Sequence, residues 1–374
     1  MELDKIKIIK TLGSGMFGTT YLAKYKGKKY AYKIQKILEK AIKPNIKYGI
    51  WRELYFYNFI NHMTPGDAMF LVKLHDYKII KNCEHIQSRP YEPPPESDLG
   101  KELHALDKSR VCVAYLTEYK GNMTLHEFLG KKILQKILYS IFIQVCITAK
   151  NLCDSGYARN DIHPGNIMIN KTDKLTYTSR GRRIHFNGYI ISLIDYGEVL
   201  SKKYSSIYRP GGMGRRFLKN KKQYCFDEIF YFCMEILTCV QERIKICKMN
   251  GQKIPRQYNY NVHDAALEIL IKDHNDFYTK HRDKYMKLFP RARSFLLSPG
   301  FNVNDVKKQR HSGDIKNVLY RISVEFSIAH PDDYQKYWKW CSLPRFLVPS
   351  GDIRKFMGFT TIEQLIDYLY EFLH

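Results

Sequence analysis

Tyr157-Ala158-Arg159-Asn160-Asp161-Ile162-His163-Pro164-Gly165-Asn166-Ile167-Met168-Ile169 sets an aspartate and an asparagine five residues apart, in a polar loop that runs into an apolar strand. Downstream, Ser192-Leu193-Ile194-Asp195-Tyr196-Gly197-Glu198 ends a second apolar strand in another aspartate. One carboxylate can orient or deprotonate a nucleophile, while a second carboxylate and an amide can hold a divalent cation through hard oxygen ligands. Either stretch alone reads as a polar turn. Together, and in this order, they single out Asp161, Asn166 and Asp195.

Two upstream stretches extend the pattern. Gly13-Ser14-Gly15-Met16-Phe17-Gly18 lies between two strand-like segments, where glycines let a backbone close over phosphates with no Cβ in the way. A dinucleotide-binding turn would lead into a helix, and a P-loop would carry Gly-Lys-Ser/Thr; neither holds here. By itself this stretch is equally a tight turn. Ala31-Tyr32-Lys33-Ile34 follows on an apolar strand, and Glu53, on a helix expected over residues 48–62, is a partner for the Lys33 ammonium.

In sequence order these pieces resemble the set that marks the protein-kinase superfamily: a Gly-rich loop, a strand lysine, a helix glutamate, an HRDxxxxN loop and a DFG. The resemblance covers about residues 6–240 and implies an α+β, bilobal fold. Residues 1–118 would form a small antiparallel-sheet lobe with one helix, interrupted by a Pro-rich loop insertion at 83–110. Residues 119–374 would form a mainly helical lobe, with an enlarged hairpin or loop at 171–187 before the Asp-Tyr-Gly strand and fading resemblance from 250 onward. The implied activity is ATP- and magnesium-dependent phosphoryl transfer to serine or threonine hydroxyls of proteins, with manganese as an alternative cation. Gly13, Gly15 and Gly18 would cover the phosphates, and Lys33, paired with Glu53, would bind the α- and β-phosphates. Asp161 would take or orient the hydroxyl proton, and Asn166 and Asp195 would hold the metal. Leu12, Thr20, Ala31 and Met168 would sandwich adenine, Thr117 would be the gatekeeper, and the backbone from Glu118 would bond the adenine edge. Asp227 resembles the buried aspartate under the catalytic loop, or is an ordinary first-turn helix acid.

The departures bear on the acceptor. Arg159 and Asn160 replace the His and Arg of HRD, and the missing Arg is the residue that reads a phosphorylated activation loop, so activity independent of such phosphorylation is implied. His163 stands where a lysine is usual, and Asp161-Ile162-His163-Pro164-Gly165-Asn166 is similar to aminoglycoside and choline phosphotransferases. No Ala-Pro-Glu follows Gly197. A small-molecule kinase and a pseudokinase scaffold are therefore the alternatives. The basic residues Lys202, Lys203, Arg209, Arg215, Arg216, Lys219, Lys221 and Lys222 are either a face for acidic or phosphorylated substrates or a solvated surface.

The 374 residues carry 61 Lys plus Arg against 37 Asp plus Glu, a formal charge of +24. Such a surface attracts anions, although the Lys-, Ile-, Asn- and Tyr-rich usage is also what an AT-rich genome produces, and no nucleic-acid recognition motif accompanies it. Composition and unorthodox loops resemble kinases of large DNA viruses, which would imply a host-cytoplasmic or virion setting. The nine cysteines form no CxxC pair and read as reduced, buried thiols of a reducing intracellular compartment. Neither a signal peptide nor a transmembrane run is expected. Oligomeric state is not legible.

Overall fold

A computed structural model describes residues 1–85, 89, 92–121, 123–131, 133–174, 176–179, 182–201, 217–253 and 359–371. The architecture is mixed α+β. Five strands, β1 (Lys7–Ser14), β2 (Gly18–Tyr25), β3 (Lys28–Ile37), β4 (Leu74–Lys81) and β5 (Val111–Glu118), form one antiparallel sheet in the order β1-β2-β3-β5-β4. Tyr30, Tyr32, Ile34 and Ile37 of β3 and Val111, Val113, Tyr115 and Thr117 of β5 are β-branched or aromatic residues suited to strands, and the turn between β2 and β3 uses Lys26 and Gly27, both at positive φ.

The pairing assigns faces. Thr20 opposes Lys33, Ala31 opposes Thr117, and Lys33 opposes Tyr115, so these five side chains share one face of the sheet. Against that face lies α1 (Gly49–Asn61), which buries Trp51, Leu54, Phe56, Tyr57 and Ile60. Its entry is fixed by Arg52, whose guanidinium donates back to the carbonyls of Ile46 and Lys47. The opposite face buries Ala23, Tyr25, Tyr32, Ala114 and Leu116 in a smaller cluster.

The expected loop insertion at 83–110 is partly helical: α2 (Asp98–Lys108) begins at Ser97, whose hydroxyl accepts from Gly100 N, and buries Leu103 and Leu106. The proline cluster is therefore confined to the approach. Within the same region Cys83 and Cys112 form a disulfide, which corrects the expectation that all nine cysteines are reduced. Antiparallel pairing of β4 with β5, with Ile80 opposite Cys112, brings together two residues that are 29 apart in sequence. The remaining described cysteines, 146, 153, 225, 233, 239 and 247, are free, and Cys341 lies outside the described residues.

After β5 come α3 (Leu125–Leu129), opened by a Thr124/Glu127 capping box, and α4 (Gln135–Asp154). α4 is long and apolar enough to cross a membrane, contrary to the expectation of no such run, but 83% of that window is buried within the protein. It is the axis of the main apolar core. Around it stand β6 (Tyr157–Ala158), β7 (Ile167–Lys171), β8 (Thr176–Ser179), β9 (Arg182–His185), β10 (Tyr189–Leu193), β11 (Leu200–Ser201) and the helices α5 (Lys221–Met249) and α6 (Ile362–Tyr370). β7 pairs with β10, and β8 with β9, so the segment at 171–187, read from sequence as a hairpin or a loop, contains paired strands. Tyr177 of that hairpin docks on Phe70 and donates to Gly66 O. α6 is clasped to α4 by Lys150, which lies 2.6 Å from Glu363 and 2.7 Å from Asp154. Lys202, Lys203, Arg209, Arg215 and Arg216 of the basic run, and nearly all of the segment from 250, lie outside the described residues.

Candidate active site

β1 and β2 meet in the turn Gly15–Phe17, closed by Gly15 N donating to Gly18 O at 2.9 Å. Gly18 is required by packing: a Cβ there would lie 2.6 Å from Ile34 O. Gly13 has open space beside it, so nothing among the described residues demands its missing side chain. Leu12, Thr20 and Ala31 are half-buried on three adjacent strands, and Thr117 is buried beside Ala31. Met168, buried on β7, pairs with Ser192 and bridges to Thr124. The Glu118 carboxylate accepts from Lys73 N and pairs with Lys120 Nζ, while its backbone N–H donates to Lys73 O.

Lys33 on β3 reaches two carboxylates. Its Nζ lies 3.6 Å from Glu53 Oε1 and 3.7 Å from Asp195 Oδ1. Burial favours the neutral amine, but Asp195 and Glu53 outweigh it and hold the Lys33 pKa above its usual value. Asp195, about half exposed, is held below the usual carboxylate range chiefly by the Lys33 charge. Glu53 is buried, and burial raises its pKa despite Lys33 and the 2.9 Å hydrogen bond it accepts from Tyr115 OH. Lys33 and Glu53 form an ion pair whose acid sits in a costly place, so the pair is sensitive to losing either member.

The loop carrying Asp161 is tied to the strand carrying Asp195. Asn166 Nδ2 donates to Asp161 Oδ2 at 2.8 Å, and Asn166 O accepts from Ile194 N at 3.0 Å. With Nδ2 committed to Asp161, Oδ1 is the Asn166 atom left to face a cation. Pro164 opens a single helical turn over Pro164–Asn166, and His163 Nδ1 accepts from Gly165 N at 3.1 Å. In neutral His163 that bond places the ring proton on Nε2, which lies 3.8 Å from Asp161 Oδ2. The backbone is left-handed at Asn160 (φ 59°) and Asp195 (φ 61°), conformations that cost a non-glycine residue roughly 1–2 kcal/mol each. Local bonds hold Asp195 there: Arg159 Nη2 donates to Ile194 O at 2.6 Å, and Gly197 N donates to Asp195 Oδ1 at 3.3 Å.

Beneath the loop the supporting acid is Glu228, not Asp227. The Glu228 carboxylate accepts the backbone N–H groups of both Arg159 and Asn160. Asp227, also buried, instead accepts from Gln223 Nε2, and it lies two turns into α5 rather than at its start. Adjacent acids on a helix point about 100° apart, and sequence alone does not say which faces the loop. Tyr196 was legible only as a mild change from Phe, yet it is fully buried. Its ring packs edge-on against Phe56 and Tyr57, its hydroxyl donates to Leu193 O and accepts from Val72 N, and Arg159 lies 5.1 Å over its face.

Lys33, Glu53, Asp161, Asn166 and Asp195 are thus brought together by a continuous chain of contacts from four separate segments. The donor oxygens of Asn166 and Asp195 suit a hard divalent cation. Compared with models of known protein families and with curated proteins, the sequence matches none.

Proposed function

We propose that the chain is a divergent member of the protein-kinase superfamily, with a bilobal arrangement about this cluster, and an ATP- and Mg2+-dependent phosphotransferase acting on serine or threonine hydroxyls of proteins. The observation that supports this reading is the convergence of a strand lysine, a helix glutamate, two aspartates and an asparagine beside a glycine turn. In that reading Lys33, steadied by Glu53, neutralises the α- and β-phosphates of ATP. Asp161 orients the acceptor hydroxyl and receives its proton as the hydroxyl oxygen bonds to the γ-phosphorus and the bond to the β-bridging oxygen breaks. Asn166 and Asp195 would hold magnesium, which supplies charge neutralisation at the phosphates. His163 Nε2, beside Asp161, is placed to donate to the transferring phosphoryl group. All the charged parts are retained, and because phosphoryl transfer depends on positioning and electrostatics, that retention favours activity over a scaffold.

The test is transfer of labelled γ-phosphate from ATP to acidic and basic protein substrates. Asp161→Asn and Asp195→Asn should each lower transfer by at least about 10²-fold. Undiminished transfer in either variant would refute its assigned role. Absence of protein label in the wild type, with ATP bound, would move the acceptor to a small molecule, the reading that the His163-Pro164-Gly165 stretch favours.

A further inference from the structure

A cavity of about 330 Å³ is lined by Lys36, Asn82, Cys83, Glu84, Asp107, Lys108, Ser109 and Arg110. It lies at the far ends of β3, β4 and β5, and Cys83 of the Cys83–Cys112 disulfide is part of its wall. The two sulfurs are not equivalent. Cys83 is half-buried and lines the cavity, whereas Cys112 is fully buried. The lining is biased toward cations. Of its two acids, Asp107 is already engaged by a two-pronged pair with Arg89, and Lys36 Nζ donates to Asp107 O, which leaves Lys108 and Arg110 with Glu84 in the lining.

We propose that this cavity is a thiol–disulfide exchange site for small anionic thiols, of the class of carboxylate-bearing cysteinyl peptides, with attack directed to Cys83. The incoming thiolate forms a bond to Cys83 Sγ. The Cys83–Cys112 bond breaks, its electron pair leaves on Cys112 Sγ, and that thiolate takes a proton from solvent, so no external oxidant or reductant is required. Access selects Cys83 as the sulfur attacked. On the leaving side, Lys36 is the direct cross-strand partner of Cys112, and its ammonium is anchored on Asp107 O at 2.7 Å. Lys108 and Arg110 supply the charge that favours an anionic thiol. The site connects to the glycine turn. The segment closed by the crosslink includes Arg89, whose Nε donates to Met16 O at 3.4 Å while its guanidinium holds Asp107. Under the phosphotransferase reading, opening the crosslink loosens one support of that turn.

The experiment reads sulfur chemistry and does not depend on phosphotransfer. The oxidised full chain is treated with glutathione or with the cationic thiol cysteamine at equal thiolate concentration, quenched with acid and mapped by mass spectrometry. A mixed disulfide on the Cys83 peptide is expected, with Cys112 recovered as a free thiol. Glutathione should react at least about threefold faster than cysteamine in dilute buffer, and the preference should vanish in 1 M salt. Lys108→Ala with Arg110→Ala should also remove it; the salt series on the wild type gives the same information if that variant misfolds. An adduct on Cys112, equal rates for the two thiols, or a chain without the Cys83–Cys112 crosslink after air oxidation would each overturn the proposal.

Discussion

Glu228 offers the sharpest test of how the Asp161 loop is supported. Burial pushes its pKa up to about 8, against an ordinary value of 4.5, even though two backbone N–H groups and the Arg159 charge oppose the shift. The unfolded chain releases this proton near 4.5 and the native chain near 8, so between those values the native state binds more protons and loses stability as pH rises. At about 1.4 kcal/mol per pH unit, and less as pH nears the native pKa, the loss from pH 5.5 to 7.5 is roughly 2–3 kcal/mol. Glu228→Gln abolishes the titration but presents an amide NH2 to one of the two donors, at a cost of about 1–3 kcal/mol. Urea denaturation should therefore find the variant less stable than wild type at pH 5.5, with the gap closing or reversing by pH 7.5. Glu228→Ala leaves both donors unpaired and should cost more at pH 5.5, while Asp227→Asn should cost less than Glu228→Ala. A wild-type-to-Gln difference that stays flat across pH would mean that Glu228 is ionised in the native protein. An Asp227→Asn loss as large as that of Glu228→Ala would refute the assignment of support to Glu228.

Three further outcomes follow from the geometry. Lys33→Met leaves Glu53 buried with Tyr115 as its hydrogen-bond partner among the described residues and should cost about 3–5 kcal/mol in thermal or chemical unfolding; adding Glu53→Gln should recover much of that without restoring phosphate transfer. Tyr196→Phe removes the hydroxyl that bonds Val72 N and Leu193 O and should cost about 1 kcal/mol, since Val72 N retains a 3.3 Å bond to Leu193 O. On the C-terminal helix, Leu365→Ala, at a fully buried site, should cost about 2–5 kcal/mol. Lys150→Ala, facing the half-exposed Glu363, should cost no more than about 1 kcal/mol, and an equal loss would mean that the clasp rather than the core holds α6.

The sheet, α1, α4 and the juxtaposition of the five polar residues were legible because each rests on local signals: apolar runs of strand or helix length, glycines at a turn, and an Asp-to-Asn spacing that one short loop can close. What escaped the reading depends on contacts between distant segments. The choice of Glu228 over Asp227 is made by the rotation of α5 beneath the loop, and neither residue carries a mark of it in sequence. The Cys83–Cys112 crosslink depends on the register of β4 against β5, which spacing does not reveal. α2 was hidden by the prolines before it, although Ser97 and the Leu103/Leu106 pair were its available signals. The apolar character of α4 is diluted by scattered polar residues such as Gln144, which is buried because it serves Tyr189 O and Ile191 N.

The two substitutions just before Asp161 make one physical unit. Arg159, where the family resemblance has histidine, buries its guanidinium completely, anchors Ile194 O and covers the Tyr196 ring. Its Nε and Nη1 make no hydrogen bond among the described residues, a cost that the nearby Asp195 charge and the Tyr196 ring must offset. Asn160, where the family has the arginine that reads a phosphorylated loop, points its side-chain carbonyl to Tyr224 OH on α5 and gives its N–H to Glu228. A neutral amide so engaged offers no cation to a phosphate, so it does not serve as that reader. The left-handed Asp195 is instead held by Arg159, from within the protein. On the phosphotransferase reading, this internal wiring makes the metal-binding aspartate's position a property of the fold, present without prior phosphorylation. Arg159→His, which shortens the reach to Ile194 O, should then lower transfer more than it lowers nucleotide affinity.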